Sequence, residues 1–343
     1  MTSVNSPRIT GVRPLWGVEG GWLTLAGSNF PLEPLPEVRI GAAPARLLTA
    51  SSRELRVSVP AGLDGGRMPV RIESMPGETV YVDVGAPIVT GVHQVDSPVF
   101  DASGNLFVTF SGSRGQQAPV SLYVVRPDGS REPFVSNLPN PTSLAFDPSG
   151  ALHVSSRFDG SVYRIAPDGA ATLVATDLGV ACGIAFDAGG VLHVGDRSGS
   201  ILRVEDGRSS VFATLPPSVA AFHLAFAPDG ALFVTAPTLG TRDRVYRISP
   251  EGLVEVFFEG FGRPQGLAFG PDGSLYVVDA LAGAGGLFRF PPGSAAPELL
   301  LAAGGLVGVA FASDGSLAVA SAETVFRFQP AADQKLHVVG TPA

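Results

Sequence analysis

From residue 92 onward apolar and polar positions alternate in short runs broken by Gly or Pro. A period of two predicts half-buried strands, and no stretch shows the spacing of an amphipathic helix. The runs recur as SPVFDASGNLFV, SLAFDPSGALHV, GIAFDAGGVLHV, HLAFAPDGALFV, GLAFGPDGSLYV and GVAFASDGSLAV. Their anchors are Phe100, Phe146, Phe186, Phe226, Phe269 and Phe311. Each is followed four residues later by a Gly: Gly104, Gly150, Gly190, Gly230, Gly273 and Gly315. A Gly between alternating runs reads as a hairpin turn. A second hairpin follows in each unit, as in SVYRIAPDGAATLVAT (161–176) and RVYRISPEGLVEVFFE (244–259), with Pro-Asp-Gly or Pro-Glu-Gly as its turn. Two hairpins make four antiparallel strands in each unit of about 42 residues, and six such units closing radially make a six-bladed β-propeller.

Strand parity sorts the connections. The tight Gly turns fall on one face, and the links between strands two and three and between blades fall on the other. The second face carries the irregular lengths: Ser111–Pro119, Ala236–Asp243 and Ala280–Gly286. Irregular loops on a regular scaffold are the expected place for function. For ring closure, the apolar run Leu336–Val339 reads as blade six's own outer strand, with residues 87–95 as the alternative pairing partner.

The first 90 residues alternate too, in PRITGVRPLWGVEGGWLTLAGSNF, PEVRIGAAPARLLTAS, RELRVSVPAG and MPVRIESMPGETVYVDV. Short strands in this number suit a small β-sandwich. The whole chain is therefore expected to be all-β, with a sandwich over 1–88 and a propeller over 89–343. The residues Gly20-Gly21, Leu23-Thr24-Leu25-Ala26-Gly27-Ser28-Asn29-Phe30, Val38-Arg39-Ile40-Gly41 and Val57-Ser58-Val59-Pro60 resemble the IPT/TIG family of immunoglobulin-like domains. That resemblance implies a spacer or docking module. Trp16 and Trp22 are expected to pack in the core or between domains rather than to anchor a partner.

Composition narrows the function classes. With 43 Gly, 30 Pro and 45% hydrophobic residues, the chain is too apolar for disorder and too rich in breakers for helical bundles. The net charge of −8 belongs wholly to the propeller, because residues 1–90 carry equal numbers of acids and Arg. An acidic domain argues against nucleic acid and against anionic partners generally. Cys182 is the only cysteine, so neither an intrachain disulfide nor a Cys-cluster metal site is available. The longest uncharged apolar stretch, Leu299–Ala312, falls short of the roughly 20 residues of a membrane span. The start MTSVNSPRIT lacks a basic and apolar leader, so a cytoplasmic location is expected, with export by another route left open.

No GxSxG, GxGxxG, Walker, HExxH or CxxC motif occurs, so any site must be assembled from several blades around the channel. Residues repeated around the ring read as structure. Arg164, Arg203, Arg247, Arg289 and Arg327 share one slot and are expected to pair blade to blade. His153 and His193 replace Phe107, Phe233 and Tyr276 ring for ring. Asp196 and Asp279 are expected to cap turns.

The informative positions break the repeat. Four residues before the anchor stand Asp96, Thr142, Cys182, Phe222, Gln265 and Val307. Three before it stand Ser97, Ser143, Gly183, His223, Gly266 and Gly308. His223 puts a large titratable ring where the other blades keep Ser or Gly. Packing beside Phe222 and a ligand or proton-transfer role both fit it.

The FDPSGALHV-type units resemble NHL repeats and the senescence-marker-protein/gluconolactonase family of six-bladed propellers, over about residues 92–341. In that family a divalent metal of calcium type sits at the channel mouth, held by a Glu of an EGPxW motif and by Asn and Asp from later blades. Here DSPVF stands in place of EGPxW, so the resemblance implies Asp96 as the one matching metal ligand. Thr142, Cys182, Phe222 and Gln265 stand where oxygen ligands are wanted, a poor cage for a hard cation. Two readings follow. The first is a binding protein that docks a small polar molecule or a protein segment over Asp96, Thr142, Cys182, His223 and Gln265. The second is a lactonase-like hydrolase in which Asp96 holds a divalent cation and His223 acts as general base.

Overall fold

A computed structural model describes residues 6–75, 77–116, 118–281 and 285–329. Every regular element among them is a β-strand. There is accordingly no helix among the described residues long and apolar enough to cross a membrane.

Six four-stranded antiparallel blades follow the repeat. The innermost strands are Val99–Phe100, Pro141–Phe146, Ala181–Phe186, His223–Phe226, Pro264–Phe269 and Leu306–Phe311. They contact one another in sequence, and the last meets the first, which closes the ring. The repeat's Gly residues sit at φ between 75° and 84°, where an L side chain is strained. Each closes a turn of the same form; in blade 2 the Gly150 N–H donates to the Asp147 carbonyl at 2.9 Å.

Blade-to-blade packing rests on rings. The second-strand aromatic of one blade meets the anchor Phe of the next: Phe107 with Phe146 (5.7 Å), Phe233 with Phe269 (5.2 Å) and Tyr276 with Phe311 (4.7 Å). His153 with Phe186 (4.7 Å) and His193 with Phe226 (5.0 Å) make the same contact, as expected for ring-for-ring replacements. The repeated arginines differ from expectation. Arg247 pairs with Asp229 and Glu255, and Arg327 with Asp314, each inside its own blade. A third-strand Arg reaches its own blade's turn acids more readily than a neighbour behind an aromatic layer.

Ring closure is also corrected. The outer strand of blade 6 is Ala86–Thr90, paired antiparallel with Thr324–Phe328; Leu336–Val339 lies outside the described residues. Gly85 permits this, since a Cβ there would stand 2.8 Å from the Phe328 ring.

The N-terminal segment packs two sheets around Leu23, Leu25, Ile40, Leu55 and Ile72. One sheet holds Arg8–Arg13, Trp22–Ser28, Glu54–Ser58 and Leu47–Ala50. The other continues into blade 5, because Trp16–Gly17 lies between Thr79–Val84 and Glu298–Ala302, pairing Trp16 with Leu301. Trp16 also stacks on Phe328 at 5.1 Å, so it is an interdomain contact, and Trp22 lies under the Arg56 guanidinium.

Candidate functional site

Three of the five residues singled out by slot are joined in one buried network. His223 leaves the first strand of blade 4 and crosses the axis to blade 1, which stands opposite in a ring of six. Its Nδ1–H donates to Asp96 Oδ1 at 2.6 Å, and its Nε2 lies 3.0 Å from the Gln265 amide oxygen of blade 5. A side-chain amide can accept from Nε2–H or, rotated, donate to Nε2, so this partner suits either protonation state of the ring. Asp96 also accepts the Ser97 N–H at 2.6 Å. His223 is 1% exposed, Asp96 5% and Gln265 6%: a polar bar across the channel with its hydrogen bonds made.

The other slots explain why His223 stands out. Ser97 accepts from the Val309 N–H of blade 6, and Ser143 from the Ile184 N–H of blade 3, both at 3.2 Å. In these blades a small residue bridges to the neighbouring backbone. Thr142, fully buried, donates to the Asn140 carbonyl at 3.0 Å and is part of the loop support. Asp196 and Asp279 cap as expected, and they also accept N–H groups of the strand-one entry: Val180 for Asp196, and Gly262 and Arg263 for Asp279.

The bar stands between two hollows. One, about 360 Å³, is lined by Asp96 and by the anchor Phe residues. The other, about 410 Å³, opens on the irregular face. Its wall includes Cys182 and Gln265 together with His93, Gln94, Arg157, Arg197 and Arg263, and contains no Asp or Glu. A larger hollow of about 540 Å³ lies on the flank between blades 1 and 2 and brings in only Asp101 and Arg164 as charged groups.

Sequence reasoning missed the arginines because it looked three and four residues before the anchor. Arg157 and Arg197 stand eleven residues after their anchors, and Arg263 six before its own, where the chain enters or leaves the innermost hairpin. The corresponding slots of the other blades hold the uncharged Ser111, Pro237, Ala280 and Ala322, or Gln94, Asn140, Val180, Ala220 and Gly305. Charge against that background was the available signal. Net charge does not reveal this local pattern: among the described residues the mouth of this acidic chain is lined by three arginines and by no Asp or Glu.

The electrostatics follow from burial. Burial pushes the Cys182 thiol up to about 12, which keeps it protonated and unreactive at neutral pH. Burial likewise lowers the pKa of His93, with Arg157 adding to the effect. Arg157 is lowered by desolvation first and then by Arg197 and Arg114, yet a guanidinium keeps its charge through such a shift. Arg157 donates to the Gly112 carbonyl at 3.0 Å and Arg197 to the Val219 carbonyl at 2.9 Å. The long loop that offers Gly112 is pinned by Asn140, which donates to the Ser111 and Ser113 carbonyls.

A divalent cation does not fit the residues present. Among the described residues no three His, Cys, Asp or Glu side chains stand together at ligating distance. Oδ1 of Asp96 is engaged by His223 and Ser97, and the matching slots offer a thiol, a phenyl ring, an isopropyl group, a buried hydroxyl already donating and the Gln265 amide, whose oxygen lies on His223. Hard cations take several free oxygens.

Fold and site together define a six-bladed β-propeller that carries an N-terminal β-sandwich. An auxiliary nutrient binding protein from Bacteroides thetaiotaomicron is similar over 94% of this chain and 98% of its own, at 13% identity and a TM-score of 0.55. A gluconolactonase from Xanthomonas campestris is similar over 85% and 96%, at 14% identity and a TM-score of 0.56. Regucalcin, a calcium-binding protein from Agrobacterium tumefaciens, is similar over 71% and 92%, at 19% identity and a TM-score of 0.55. At these identities the fold is what is shared. No protein-family model and no curated protein matches the sequence.

Proposed function

We infer that the chain is a binding protein that takes a small polar molecule into the channel mouth on the irregular face, with the IPT/TIG-like sandwich as its mount. The observation that carries this reading is the mouth itself: a hollow of about 410 Å³, within the usual size of small-molecule sites, lined by polar groups from several blades. The nutrient-binding name of a structural neighbour that spans nearly the whole chain supports it.

The lactonase reading asks for a metal-held water and a base facing it. His223 has both ring nitrogens engaged and is 1% exposed, and Asp96 could offer a cation only Oδ2, since its Oδ1 already accepts from His223 and the Ser97 N–H. The test is calorimetric titration of the full chain with small polar probes, beside a variant whose mouth is filled, Ala220→Trp. Binding that is saturable and lost in the variant is expected. Stoichiometric calcium in the purified protein, with lactone turnover lost on Asp96→Asn, would replace this reading by the hydrolase.

A further inference from the structure

Several arginines on the blade flanks are paired with acids, Arg126 with Glu132, Arg203 with Glu205, Arg247 with Asp229 and Glu255, and Arg327 with Asp314, while Arg131, Arg164 and Arg208 make no ion pair among the described residues. The three at the mouth make none either, and they share one hollow. Among the described residues no carboxylate lies within ion-pair distance of Arg157, Arg197 or Arg263, in a chain with an excess of acids. Among the described residues Arg157 and Arg197 donate only to backbone carbonyls, and no hydrogen bond or ion pair of the Arg263 side chain is found. Three like charges that share one hollow repel each other, which costs free energy in the empty protein.

A second observation concerns uncharged groups of the same wall. Gln94 is 1% exposed, and its amide oxygen accepts from the Thr109 N–H (2.7 Å) and hydroxyl (2.6 Å), which fixes the orientation of the amide. The amide nitrogen is left buried without a partner, and Arg197 Nε is likewise unpartnered. Buried N–H groups without acceptors are uncommon in native proteins. Those of Gln94 and Arg197 stand at the mouth, while others lie away from it, on Arg39, Arg56, Arg203 and Arg289. Of the acids close by, Asp196 and Asp279 are occupied by backbone N–H groups and Asp96 by His223 and the Ser97 N–H, while Glu323 acts on His93 of the same wall.

We propose that the ligand of the channel mouth is an anion, a small organic molecule bearing carboxylate or phosphate groups, held between Arg157 and Arg197 on one side of the axis and Arg263 on the other. This rests on the mouth being a binding site at all. The guanidinium fork matches the paired oxygens of a carboxylate or phosphate. Blades 2 and 5 stand opposite each other, so a molecule charged at both ends meets a cation at each.

The experiment titrates the full chain with citrate, succinate and inorganic phosphate, and with succinamide and glucose as uncharged counterparts. Succinate and succinamide share a carbon skeleton and differ in charge. Saturable binding of at least one anion is expected, weakened by added sodium chloride. It should weaken about tenfold or more in Arg263→Gln and in Arg197→Gln, in keeping with lost hydrogen bonds to a charged group. Arg197→Lys, which keeps the charge, should fall between. Unchanged thermal midpoints without ligand show that the variants fold.

Binding of succinamide or glucose with none by the anions overturns the anionic ligand and leaves the binding function standing. Anion binding that is the same in all variants places it elsewhere and overturns the proposal. No binding by any probe at millimolar concentration overturns the proposal and the function on which it rests.

Discussion

Two layers of one channel are built on opposite terms. In the bar, His223 joins Asp96 and Gln265 through both ring nitrogens under almost complete burial. At the mouth, Arg157, Arg197 and Arg263 share a hollow without a carboxylate, and Gln94 keeps an unmatched N–H. The first is polar structure completed from within. The second is polar structure left for something else to complete. Residue type does not tell the two apart; the accounting of partners does.

The contrast is broken most directly at His223. His223→Ala leaves the Asp96 carboxylate buried without its partner, and a loss of about 3–5 kcal/mol in urea unfolding is expected for one half of a buried pair. Asp96→Asn keeps an oxygen for the ring and for the Ser97 N–H, so it should cost less. A loss below about 1 kcal/mol for His223→Ala would mean that water replaces the ring and the bar is a site after all.

A smaller effect is expected from the two histidines of the aromatic layer. Burial lowers the pKa of His153 and His193 below the ordinary 6.5, chiefly through desolvation. As pH falls, the unfolded chain therefore takes up protons before the folded one. The stability these rings contribute is complete above about pH 6.5 and is lost as pH falls through their lowered folded values. The double replacement His153→Phe and His193→Phe, which restores the ring found in other blades, should flatten the fall of the thermal midpoint on the acid side of pH 6.5. An unchanged slope would assign that acid sensitivity elsewhere.

The smallest expected change is at the mouth. Arg157→Gln and Arg197→Gln should alter stability by no more than about 0.5 kcal/mol, with any gain appearing at low salt and fading with added salt. A destabilisation comparable to that of His223→Ala would show that the arginines hold the fold, and the two layers would no longer differ.

The blades were legible because six copies of one pattern reinforce each other, and a Gly four residues after each Phe leaves little choice of turn. The bar was legible in part. His223 stood out against Ser and Gly in its slot, but that it reaches Asp96 depends on which blades face each other. The arginines were hidden twice, by their place at strand ends outside the searched slots and by a net charge of −8 that averages over the outer surface. The closing strand was misread because Leu336–Val339 and Ala86–Thr90 alternate equally well. Only the approach of Gly85 to Phe328 decides for the latter.

That closure sets the order in which the molecule can be completed. Ala86 and Arg327 pair across about 240 residues of chain, so a growing polypeptide makes the last strand of its ring first and then holds it unpaired until blade 6 emerges. The sandwich, whose strand Thr79–Val84 runs into it through Gly85 alone, can fold early and present that strand at a fixed place. In this light the N-terminal module serves as a clasp made before the necklace. Its attachment to blade 5 through Trp16 keeps the clasp beside the gap it must close.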